Sequence, residues 1–130
     1  LSEVVEFKDG KRHGKGEEYF VTGERRSTFE YKDGELDGKL TFYFAGGKLD
    51  RLMNYVNGKL DGEYKSYHLN GKLKSEGKYV AGVAVGDWKY YYSNGQLEQQ
   101  NTFDAKGDPS GKWTFFNRKG VLTEERPFGD

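Results

Sequence analysis

Cysteine is absent, and histidine occurs twice in 130 residues. No disulfide framework or thiolate metal site can form, and the redox compartment is left open. Proline also occurs only twice, and hydrophobic residues make up 34% of the chain. No run approaches the ~18 apolar residues of a membrane-spanning helix, and no signal-type apolar segment is present. Charge of one sign is missing too. Lys plus Arg and Asp plus Glu both number 21, and dividing the chain after residue 65 leaves halves of minus one and plus one. Net charge therefore offers no basic face for nucleic acid or acidic lipid. The chain begins at Leu1 rather than Met, so we expect a preceding segment to have been removed. Export to the periplasm or cell surface and a cytoplasmic location both stay open.

What the chain does have is rings and glycine. Aromatic residues make up 16%, and there are 19 glycines. Phe7, Tyr31, Tyr55, Tyr79 and Phe103 recur every 24 residues. Three glycine series follow them: Gly10, Gly34, Gly58, Gly82 and Gly107; Gly14, Gly38, Gly62, Gly86 and Gly111; Gly23, Gly47, Gly71, Gly95 and Gly120. A residue inserted in "FDAKGDPSG" shifts the fifth copy by one. A second ring follows the middle glycine at Tyr19, Tyr43, Tyr67, Tyr91 and Phe116, and a bulky residue follows it at Leu40, Tyr64, Trp88 and Trp113, where the first copy has Gly16. Periodicity of this kind marks a repeat architecture. One repeat domain, 1–130, is expected, with copies at about 7–30, 31–54, 55–78, 79–102 and 103–126 and a partial sixth at 127–130.

Each copy reads as two strands. In the third, "GEYKSYHL" and "KLKSEGKYV" flank Asn70–Gly71, which suits a two-residue type I′ hairpin because both positions need positive φ. That loop sets a register: His68 opposite Leu73, Ser66 opposite Ser75, Tyr64 opposite Gly77, Gly62 opposite Tyr79. One face then collects Trp88, Tyr90 and Tyr92 beside Leu97, Gln99, Asn101 and Phe103, and Leu40, Phe42 and Phe44 beside Leu49, Met53 and Tyr55. The other carries Lys65, Lys72, Lys74, Glu76 and Lys78 around Tyr67 and should be solvated. The middle glycine is expected to leave room for the ring opposite it. About ten strands follow, in an elongated, single-layer, all-β antiparallel meander of hairpin repeats.

The pattern, clearest in "YVNGKLDGEYKSYHLNGKL", resembles the MORN repeat family. The closer likeness is to its bacterial variant, Tyr-x-x-Gly-x-x-x-Gly-x-Trp/Tyr-x-x-Tyr-x-x-x-Gly-x-Leu. The resemblance implies a twisted single-layer sheet used for protein contacts or membrane-proximal scaffolding. The Gly-x-Gly of the standard motif survives only at Gly14 and Gly16.

No catalytic, cofactor or metal site is expected. His13 and His68 lie in different copies without a second imidazole or thiolate. Glu17/Glu18 and Glu124/Glu125 are adjacent, so on a strand they face opposite ways. Candidate contact residues are the aromatics Trp88, Tyr90, Tyr92, Phe42, Phe44, Trp113 and Phe115. Trp88 fills a consensus slot, whereas Tyr90 and Tyr92 vary between copies. The leading reading is a non-enzymatic scaffold that binds another protein. A carbohydrate or cell-wall module using exposed rings is the alternative, suggested by the likeness of "GDWKYYYSNG" to choline-binding hairpins. A lipid-binding scaffold comes third, because the net charge is zero.

Overall fold

The computed structural model describes residues 2–128. They form one open sheet of 13 strands: β1 (Ser2–Lys8), β2 (Lys11–Tyr19), β3 (Arg25–Lys32), β4 (Glu35–Leu36), β5 (Gly38–Tyr43), β6 (Leu49–Val56), β7 (Lys59–Leu60), β8 (Gly62–Tyr67), β9 (Leu73–Val80), β10 (Val83–Tyr91), β11 (Leu97–Phe103), β12 (Pro109–Phe116) and β13 (Leu122–Phe128). Every pairing is antiparallel and joins sequence neighbours, apart from the short β4 and β7, which pair back onto β3 and β6. The expected meander is therefore present. It has 11 full strands rather than ten, because β1 adds a half-hairpin and backbone irregularities split off β4 and β7. Of the expected partial sixth copy, Phe128 packs its ring on Trp113 at 4.7 Å, and Gly129 and Asp130 lie outside the described residues.

Strand register follows the expectation through the body of each hairpin and departs from it at the turns. Gly62, Tyr64 and Ser66 lie opposite Tyr79, Gly77 and Ser75, but Tyr67 takes the place expected of His68 opposite Leu73. The reason is the turn. The Gly71 N–H donates to the His68 carbonyl and the His68 N–H to the Lys72 carbonyl, which closes a three-residue loop over Leu69, Asn70 and Gly71. Only Gly71 of that loop has positive φ, the type I turn with a left-handed glycine that three-residue hairpins favour. The two-residue type I′ turn occurs at the opposite rim. Asp9–Gly10, Asp33–Gly34, Asn57–Gly58 and Ala81–Gly82 have positive φ at both positions. The residue inserted near Gly107 converts that rim's last turn to the three-residue form, with the Gly107 N–H donating to Asp104.

The middle glycine also has a different role from the expected one. Gly62 lies opposite Tyr79, but its φ is +108° and a Cβ there would approach Asn54, not a ring. Around it the β6 register moves by two residues between Leu60 and Lys65. The glycine is needed for a backbone bulge that only a left-handed conformation permits.

The core is one row of side chains crossing the sheet. Phe29, Leu40 and Met53 are buried together, with Val5, Tyr31, Phe42, Tyr55 and Tyr64 packed around them. Further along, Trp88 is 4% exposed and packs tilted against Tyr64 at 5.6 Å and edge-to-face against Tyr79 at 5.0 Å. Both clusters rest on a glycine. A Cβ on Gly16 would sit 2.2 Å from the Phe29 ring, and one on Gly77 would sit 2.0 Å from Trp88. With no second layer to cover the sheet, both rings are buried against a neighbouring strand at a residue that has no side chain.

Candidate functional site

Two residues along each strand from the core row, a second row runs across the same face. Direct cross-strand pairing links Glu18, Ser27, Phe42, Arg51, Ser66, Ser75, Tyr90, Gln99, Phe115 and Glu124 in that order. Its prominent members are amphipathic. The Arg51 guanidinium lies over the Phe42 ring at 4.5 Å, and Arg126 lies over Phe115 at 5.5 Å, both within cation–π range. Between Arg51 and Tyr90 the row dips at Ser66 and Ser75, which are buried and hydrogen-bonded to each other. Tyr90 is half-buried, and burial first, then the neighbouring Tyr64, raises its hydroxyl pKa above the ordinary 10.0. It stays a neutral hydroxyl at physiological pH.

The candidate residues divide by environment. Phe42, Tyr90 and Phe115 share this row. Trp88 has almost no free surface and acts through what it supports. Trp113 belongs with the packing group: its indole N–H donates to the Thr102 carbonyl at 3.0 Å, and its ring contacts Phe103 and Phe128. Phe44 stands in a turn, its N–H donating to the Lys48 carbonyl. Tyr92 is committed elsewhere. Its hydroxyl donates to the Phe116 carbonyl of the following hairpin at 2.6 Å, with Arg118 over its ring.

Tyr92 is one of a set of staples along that rim. The His68 Nε2 meets the Tyr91 carbonyl at 2.8 Å, the Asn70 amide donates to Ser93 at 2.7 Å, and the Asn94 amide donates to Arg118 at 3.1 Å. Gln99 falls on the face expected of it, whereas Arg51 is not among the expected contact residues, although alternation from Leu49 to Met53 marks it as a face residue between two apolar ones. Their cross-strand neighbours make them part of the row.

The opposite face is polar and grooved. A hollow of about 410 Å³ has Leu52 and Tyr67 among its walls with Lys39, Glu63 and Lys65 at its margins. Lys65 and Lys89 each lie opposite Glu76, and Lys78 lies opposite Glu63, so this face alternates the two signs across its strands. Tyr91 donates to Glu76 at 3.0 Å, and burial followed by that bond raises its pKa. Among the described residues, no group of three or more His, Asp or Glu side chains is placed to hold a metal ion.

A single-layer sheet of stacked hairpins whose turns recur every 24 residues defines a hairpin-repeat protein. The chain belongs to the MORN repeat variant family, whose model matches residues 36–57, 60–81 and 84–105, about half of its length. No curated protein matches it.

Proposed function

We propose that the chain is a non-catalytic scaffold that binds another protein through the Phe42–Arg51–Tyr90–Phe115 row. In this reading it is built from five copies of the bacterial form of the repeat. The carrying observation is that row itself, in which rings and guanidinium groups, the side chains most enriched at binding hot spots, stand together on one face of the sheet with free surface. Family membership supports the general reading, because MORN repeats typically mediate protein or membrane contacts.

The test compares the intact domain with Arg51→Glu plus Tyr90→Ser, and with Lys65→Glu plus Lys78→Glu on the polar face, after all three are shown to fold. Each is used to capture partners from lysate and envelope fractions. A protein retained by the intact domain and the polar-face variant but lost by the row variant supports the proposal. A protein retained equally by all three, or lost only from the polar-face variant, overturns it.

A further inference from the structure

We propose that Asn57 is a site of spontaneous covalent modification, deamidation through a succinimide, and that the fold protects the other two Asn-Gly pairs. The chain has three such pairs: Asn57–Gly58, Asn70–Gly71 and Asn94–Gly95. In each, the reaction begins when the glycine nitrogen attacks the asparagine Cγ. A C–N bond forms, the Nδ2 group leaves as ammonia with the proton given up by the glycine amide, and a five-membered imide results. One water then opens the ring at either carbonyl to give aspartate or isoaspartate. Water is the only co-reactant and ammonia the only product released.

Exposure and backbone bonding do not separate the three sites. All three asparagines are exposed. The attacking N–H is also bonded in every case, Gly58 to Leu36 at 2.8 Å, Gly71 to His68 at 2.9 Å and Gly95 to Tyr92 at 2.9 Å. The side chains do separate them. The Asn70 Oδ1 accepts the Lys72 N–H at 2.9 Å while its Nδ2 donates to Ser93 at 2.7 Å. Asn94 repeats this with Gln96 at 2.9 Å and Arg118 at 3.1 Å. Both amides must release two partners before Cγ can turn back to the glycine nitrogen. The Asn57 backbone N–H donates to the Asp37 Oδ1 at 3.0 Å, but among the described residues its side-chain amide makes no hydrogen bond. It stands over a hollow bordered by Lys59, Asp61 and Ala81, with room for the imide and its hydrolysing water.

The two products differ in consequence. Aspartate already occupies the same turn position at Asp9 and Asp33, with φ of +51° and +50° against +50° for Asn57. That backbone accepts it. Isoaspartate adds a methylene to a two-residue loop, which cannot then keep both the Val56–Lys59 pairing and the Gly58 bond to Leu36. The hairpin joining β6 and β7 loosens.

The experiment holds the full chain in mildly alkaline buffer, with and without denaturing urea, and follows tryptic peptides by mass spectrometry, with isoaspartate scored by enzymatic methylation. Cleavage at Arg51 and Lys59, Lys65 and Lys72, and Lys89 and Lys106 separates the three sites. In the folded chain Asn57 is expected to react about tenfold faster than Asn70 or Asn94, which must each give up two hydrogen bonds. In urea the three rates converge. Equal rates in the folded chain, faster loss at Asn70 or Asn94, or a ranking unchanged by urea would each overturn the proposal.

Discussion

The core row solves one problem in two ways. Toward the N-terminus, Phe29 over Gly16 is extended by Leu40 and Met53 into a cluster of one ring and two aliphatic side chains buried together. Toward the C-terminus, Trp88 over Gly77 is enclosed by Tyr64 and Tyr79, and the next place in the row is the buried polar Asn101, opposite Trp88 and bonded to Gln99 at 2.8 Å. The first cluster distributes burial over several side chains, whereas the second concentrates it on one indole. A single-layer sheet has no opposing layer to exclude water, so the size of the ring and the absence of a side chain beneath it decide how dry each cluster is.

The sharpest way to break this contrast is Trp88→Ala. It should cost about 3–5 kcal/mol, a large share of the roughly 5–15 kcal/mol total of a small domain. Met53→Ala should cost less, about 2 kcal/mol, because its neighbours share the burial. Urea unfolding followed through the remaining Trp113 measures both, and equal losses would refute the contrast.

Gly16→Ala and Gly77→Ala test the floor of each cluster. Neither glycine has positive φ, so the cost comes from the collision with the ring, about 1–3 kcal/mol. Gly77→Ala combined with Trp88→Leu should lose less than the sum of its parts, since a smaller side chain tolerates the new methyl. Strict additivity in that cycle would show that ring and glycine do not interact.

Smaller effects sharpen the picture of the C-terminal half. Tyr92→Phe removes the staple to Phe116 and should cost about 1 kcal/mol, read in the same unfolding assay. Ala81→Asn should stabilise by about 0.5–1 kcal/mol, because Ala81 sits at φ +49° where asparagine is better tolerated. Alkaline titration gives the smallest signal. Burial raises the pKa of Tyr79, Tyr90 and Tyr91, all in this half. A tyrosine whose folded pKa exceeds the unfolded one contributes fully below the ordinary 10.0 and loses that contribution as pH rises through the folded value. Stability should therefore be flat up to about the ordinary 10.0 and fall between there and the raised folded values, less steeply for Tyr90→Phe.

The candidate site was only partly legible. Phe42, Tyr90 and Phe115 were readable as face residues because alternation within a strand is a local property. The face of Arg51 was equally readable, but its role was not, because that depends on lying across from Phe42 and over its ring. Tyr92 looked like a spare ring because its partner, the Phe116 carbonyl, lies 24 residues away.

The amino-acid sequence by itself determined the 24-residue period, the antiparallel meander and the pairing in the body of each hairpin. Recurrent glycine turns and alternating side chains are local constraints that any copy must obey. Only the tertiary structure decided which rim carries type I′ turns, what the middle glycine is for, and which rings are buried. The backbone bonds that close each loop set the first, a backbone bulge the second, and the presence or absence of a Cβ on the adjacent strand the third. Each depends on how one strand meets the next, and the spacing of residues within one strand does not record it.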